Sequence, residues 1–152
     1  IMSTTHTAFI IGNVYLKTTL ISGEYPDIRR VIPKKEDTTV KTNLKTLMDA
    51  VSFVDPISQN TDFNIIQMKF NKDTIEVSAE DGKTGTSKTI IPCENTNKKE
   101  ITMRCKSKNI REILKHSEGE DIFIHLLTGN PIRFEQELDK DYVYVTAPLR
   151  AS

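Results

Sequence analysis

The chain has 152 residues, 37% hydrophobic and 28% charged, and a domain of that size buries about 68–70% of its unfolded surface. Its 21 basic and 21 acidic residues cancel, which argues against an isolated, tight DNA-binding domain, because such affinity comes from a basic surplus that neutralises phosphates; a weak contact through one basic face stays open. No apolar run approaches the ~20 residues of a membrane span, and the start lacks the basic segment and apolar core of a signal peptide. Met2 behind Ile1 hints at an internal start.

In chain order, the apolar runs at 8–11 and 14–21, separated by Gly12-Asn13, predict a hairpin. It has no helix of its own, so it is expected to complete the sheet of a preceding domain, giving a boundary near residues 24 and 25. A short, weak strand is expected near 30–32. Leu44, Leu47, Ala50, Val51 and Val54 then share one face by the three-and-four spacing, predicting a helix over 42–54 capped by Thr42 or Asn43 and stopped by Asp55-Pro56. Strict alternation predicts strands over 64–70 and 74–79, with a third over 87–91. A strand over 100–105 leads into a second helix over 107–116 with Ile110, Ile113 and Leu114 inward, followed by strands over 121–127, 131–138 and 142–147.

The order repeats: strand, helix and three strands, twice. Such an internal repeat predicts an α+β domain with pseudo-twofold character, two sheets outside and both helices on one side. Cys93 and Cys105 read as reduced packing residues, although their spacing alone does not forbid a disulfide. His6, His116 and His125 have no metal-ligand spacing to cysteines or carboxylates. Gly82-Lys83-Thr84 lacks the upstream glycine of a phosphate loop. No catalysis, metal or cofactor is expected.

Two segments carry a resemblance. The stretch Leu20-Ile21-Ser22-Gly23-Glu24-Tyr25-Pro26-Asp27-Ile28-Arg29-Arg30-Val31-Ile32-Pro33 resembles the join between the second and third domains of bacterial sliding clamps, the beta subunit of DNA polymerase III. There an aromatic-Pro-Asp-x-x-x-Val-x-Pro pattern follows a glycine. Tyr144-Val145-Thr146-Ala147-Pro148-Leu149-Arg150 resembles that family's ending. The resemblance implies a DNA-clamp domain at 25–152 preceded by the last hairpin of a middle domain at 1–24. It implies a non-catalytic, cytoplasmic, nucleoid-associated processivity factor that closes as a homodimeric ring around duplex DNA. Its partners would be clamp-binding peptides of DNA polymerase, clamp loader and repair proteins. The alternative is a stand-alone, truncated peptide-binding module that does not encircle DNA.

Carried over by position, the peptide pocket would use Pro26, Arg30, Val31, Pro131, Val145, Ala147, Pro148, Leu149 and Arg150. Proline rings with Val and Leu make a rigid apolar floor, which lowers the ordering cost of binding a peptide, and arginines bond its carbonyls or an acidic residue. Val31 and Val145 read equally as strand core. Weak DNA contacts would come from Lys108, Arg111 and Lys115 on the second helix, with Lys41 and Lys45 on the first, a stripe that also reads as a solvated helix face. Phe53 and Val54 map near the family's subunit interface, Val54 equally as core.

Overall fold

A computed structural model describes residues 1, 3–25, 27–61, 63–139 and 141–149. Met2, the pocket candidates Pro26 and Arg150, and Lys140 of the 139–141 turn lie outside the described residues.

β1 (His6–Ile11) and β2 (Val14–Thr19) form a separate two-stranded sheet. Ile11 pairs with Val14 around Gly12-Asn13, and Gly12 has a φ of 58°, a left-handed conformation that a residue without Cβ adopts at little cost. Phe9, Ile10, Ile11, Val14, Tyr15 and Leu16 are all exposed.

The expected strand near 30–32 is absent. Ile28–Arg30 is a single 3-10 turn, with Asp27 accepting from the Arg29 N–H at 3.2 Å and pairing with the Arg30 side chain at 3.2 Å. The strand that leads into the first helix is instead β3 (Thr38–Asn43), followed by α1 (Leu44–Ser58). Asn43 is the cap, accepting from the Thr46 N–H at 3.0 Å and so satisfying one of the helix's orphan donors. Asp55-Pro56 does not stop α1, which runs on to Ser58 with Pro56 inside. The proline removes one helical hydrogen bond and disfavours a helical residue before it. Beyond the proline, the Asp55 carboxylate holds the last turn together by accepting from the Ser58 hydroxyl at 3.3 Å and the Gln59 amide at 2.8 Å.

β4 (Ile65–Phe70), β5 (Thr74–Asp81) and β6 (Gly85–Pro92) follow as a meander, then the two-residue β7 (Glu94–Asn95), which the sequence reading had not included. β8 (Ile101–Lys106) leads directly into α2 (Ser107–His116), and β9 (Asp121–Leu126), β10 (Ile132–Gln136) and β11 (Val143–Thr146) complete the second repeat.

The repeats interlock. The strand leading into each helix joins the other repeat's sheet. β3 pairs antiparallel with β9 in a five-stranded sheet ordered β11-β10-β9-β3-β7, while β8 pairs antiparallel with β4 in a four-stranded sheet ordered β6-β5-β4-β8. Inward residues of both sheets, including Phe70, Val77, Met103, Ile124 and Phe134, meet Leu47 and Val51 of α1 and Ile110 and Ile113 of α2 in one buried cluster. Cys105 belongs to that core and Cys93 packs against it; both are free thiols. Burial pushes the Cys105 thiol up to about 12 and, with help from nearby Asp73, the Cys93 thiol up to about 11. Neither is a reactive thiolate near neutral pH.

Candidate functional site

The C-terminal end of the chain meets the open edge of β8. After β11, Ala147-Pro148-Leu149 crosses from the five-stranded to the four-stranded sheet. The Leu149 N–H then donates to the Arg104 carbonyl at 2.7 Å, an isolated antiparallel bridge. Beneath that crossing lies a cleft of about 510 Å³ whose walls include Pro131, Ala147, Pro148 and Leu149, four of the expected pocket residues. β8 supplies the opposite wall through Ile101–Arg104, with Gln67 of β4 behind it and the Thr128-Gly129-Asn130 turn at one end. This is a concave site whose lining is more apolar than polar, with Gln67, Thr102, Arg104, Thr128 and Asn130 as its polar side chains, a form that suits a peptide or small-ligand pocket.

The turn at the end of the cleft is held from outside. The Asp37 carboxylate accepts from the Thr128 N–H at 3.0 Å and its hydroxyl at 2.8 Å, and pairs with Lys99 at 2.8 Å. Lys99 and these Thr128 donors stabilise the ionised form and bring the Asp37 pKa down to about 2. Because the folded value lies below the ordinary value of about 3.9, the contribution of this clip is present above that value and fades as pH falls through about 2. A carboxyl-carbon NMR titration of the intact chain should give Asp37 a midpoint near 2; an ordinary aspartate midpoint would mean the clip is not formed in solution.

The other expected pocket residues sit elsewhere. Val31 closes the 3-10 turn and is 55% exposed, so it is not strand core, and neither it nor Arg30 lines the cleft. Val145 faces outward beside Arg133, its partner in register, because Tyr144 and Thr146 take the inward positions of β11. That outer face carries a charged clasp. Arg133 donates to the Pro33 carbonyl at 3.0 Å and the Glu36 carboxylate at 3.0 Å, and His125 lies 2.7 Å from Glu36 and 3.1 Å from Glu135. It fastens the segment before β3 to the sheet. Gln67, Thr102 and Arg104 are cleft residues that sequence reasoning missed. Their outward alternation along β4 and β8 was visible, but not the C-terminal segment that covers them.

Of the other assignments, the structure moves one to a different element. Lys41 is not on the first helix: it lies on the outward face of β3, paired with Asp121 at 2.8 Å. Arg111 is on α2 as expected, but its guanidinium pairs with Asp55 of α1 at 2.7 Å. Val54 is fully buried in the core, while its neighbour Phe53 is 62% exposed. Lys45, Lys108 and Lys115 are exposed helix lysines without an ion pair among the described residues. Also among the described residues, no three of His, Cys, Asp and Glu gather as metal ligands, and no helix is long and apolar enough to cross a membrane.

Residues 29–150 match the family model described as DNA polymerase III beta subunit, C-terminal domain. The chain belongs to the DNA polymerase III beta-subunit family. Beta sliding clamps of Staphylococcus aureus are 20% identical over 143 residues, covering 93% of this chain and 38% of the relative. Among solved structures, the beta subunit from Pseudomonas aeruginosa superposes with a TM-score of 0.88 at 18% identity, and that from Thermotoga maritima with 0.86 at 18%. Each comparison covers 99% of this chain and 41% of the other. The fold is therefore that of a DNA-clamp domain, and the chain spans about two fifths of the length of its relatives.

Proposed function

We propose that this chain is the C-terminal portion of a sliding clamp, a non-catalytic, cytoplasmic processivity factor. It tethers DNA polymerase, clamp-loader and repair proteins to duplex DNA by binding a short, apolar-rich peptide from each. The observation that carries this reading is the cleft in which Pro131, Ala147, Pro148 and Leu149 converge on β8, with the Leu149 backbone fixed to Arg104. Pre-fixed apolar walls favour a peptide because little ordering is left to do on binding.

In this reading the exposed apolar hairpin β1–β2 is the closing hairpin of a middle domain, which explains why six large apolar side chains face outward on two short strands. The clasp of Glu36, His125 and Arg133 then sets how that domain meets this one. Lys45, Lys108 and Lys115 supply weak, sequence-independent phosphate contacts, with Arg111 largely neutralised by Asp55. Phe53, beside the open edge strand β6, is the part of the subunit interface that this chain offers to a second copy in a ring.

The test is a fluorescence-anisotropy titration of the chain with a labelled peptide carrying a Leu-Leu anchor. Leu149→Asp places a charge on the apolar wall and is expected to weaken binding at least about tenfold, a loss of about 1.4 kcal/mol, with circular dichroism unchanged. Undiminished binding by the folded variant would remove the cleft from the tethering role.

A further inference from the structure

The apolar cleft does not end at β8. On the outward face of the four-stranded sheet a second depression of about 350 Å³ runs on from it, walled by Thr61, Ser78, Glu80 and Thr86. Gln67 and Arg104 line both spaces. They are partners in register on β4 and β8, so their side chains stand next to each other on one face, at the shoulder between an apolar and a polar compartment.

Arg104 is well suited to recognition. Its backbone is fixed from two sides, by the β4–β8 ladder and by the Leu149 N–H on its carbonyl. Its side chain is exposed, and among the described residues neither it nor the Gln67 amide has a hydrogen-bond partner. A guanidinium offers a planar fork that matches a carboxylate with two parallel bonds, and an adjacent amide N–H₂ adds a third donor. Glu80 on the far wall repels negative charge there, so the depression favours one acid, held at the Arg104 end.

We infer that Arg104, with Gln67, is a specificity-determining subsite that reads an Asp or Glu side chain next to the apolar anchor of a docked peptide. This rests on the tethering role of the cleft. An apolar anchor alone discriminates poorly among partners, since a methylene more or less changes little. A charge contact discriminates more strongly once the docked peptide covers the arginine, because the wrong residue then leaves the guanidinium unmatched under the peptide.

The test uses the full chain and C-terminally amidated, labelled peptides, so that no terminal carboxylate contributes. All share a Leu-Leu anchor and carry either Asp or Asn immediately before or after it. In at least one position the Asp peptide is expected to bind about tenfold more tightly than its Asn counterpart, a difference typical of a hydrogen bond to a charged group. Arg104→Gln should bring each Asp peptide to the affinity of its Asn counterpart, with circular dichroism unchanged. Lys106→Gln, two residues along the same outward face and outside both spaces, should leave the Asp preference intact. Equal binding of Asp and Asn peptides, a preference that survives Arg104→Gln, or equal losses in both variants would overturn the subsite while leaving the apolar cleft standing. If no peptide binds, or if Leu149→Asp leaves binding untouched, the tethering role itself fails and the subsite with it.

Discussion

Asp55→Ala is expected to lower the unfolding free energy by about 3 kcal/mol, the range observed when one partner of a buried charged network is removed. Asp55 is buried near the end of α1 and accepts from the Ser107 hydroxyl, the Ser58 hydroxyl at 3.3 Å, the Gln59 amide at 2.8 Å and the Arg111 guanidinium at 2.7 Å. Ser107, the first residue of α2, is fully buried. Without Asp55 its hydroxyl loses its acceptor inside the core, and Arg111 loses the partner that draws it across to α1. The estimate sits at the low end of the range because the Arg111 side chain is half exposed and can rehydrate.

The same network sets a pH dependence. Burial alone would raise the Asp55 pKa, but hydrogen bonds from Ser107 and Gln59, the nearby Arg111 charge and the Ser58 hydroxyl together outweigh it and hold the value below ordinary. A carboxylate depressed on folding contributes stability above its unfolded value of about 3.9, and that contribution disappears as pH falls through the lower folded value. Urea unfolding of the wild-type chain should therefore show an acid limb that Asp55→Asn flattens. Wild-type and Asn variants with parallel acid limbs, or an Ala variant within about 1 kcal/mol of wild type, would show that the two helices are joined by apolar packing alone.

Much of this architecture was legible because local periodicity and buried faces coincide. Ile66, Met68 and Phe70 alternate inward on β4, and Ile110, Ile113 and Leu114 fall on one side of α2. β3 escaped because its inward positions alternate Thr38, Val40, Thr42. Two of these three are hydroxyl residues, and their burial depends on distant acceptors, Asn95 Oδ1 for Thr38 and the Pro92 carbonyl for Thr42. The exchange of leading strands was likewise invisible, since alternation tells which face is buried but not which strand lies alongside. At the site, the C-terminal apolar residues and Pro131 were readable by type and by resemblance. The β8 wall was not, because only the tertiary crossing of Leu149 to Arg104 brings it there.

The second large effect concerns a residue in the shortest strand. Asn95→Leu is expected to cost about 3 kcal/mol despite adding apolar volume, because it leaves several buried polar groups without partners. Asn95 is buried; its carbonyl accepts from the Thr38 hydroxyl, and its amide donates to the Asn71 carbonyl at 2.8 Å and the Lys99 carbonyl at 3.0 Å. Asn71 belongs to the β4–β5 turn of the four-stranded sheet, whereas β7 pairs with β3 in the five-stranded one. One side chain thus ties the two sheets together at the end away from β11. It also holds the Lys99 backbone, while the Lys99 ammonium pairs with the Asp37 carboxylate that fixes Thr128 at the mouth of the cleft. Loss of Asn95 should therefore be felt at a site it does not touch. Amide hydrogen exchange at Thr128 is expected to quicken in Asn95→Leu, and the Leu-Leu peptide to bind more weakly, in a chain that is still folded. If stability falls but Thr128 exchange and peptide affinity stay as in wild type, the clip at Asp37 stands by itself and the β7 junction serves the fold alone.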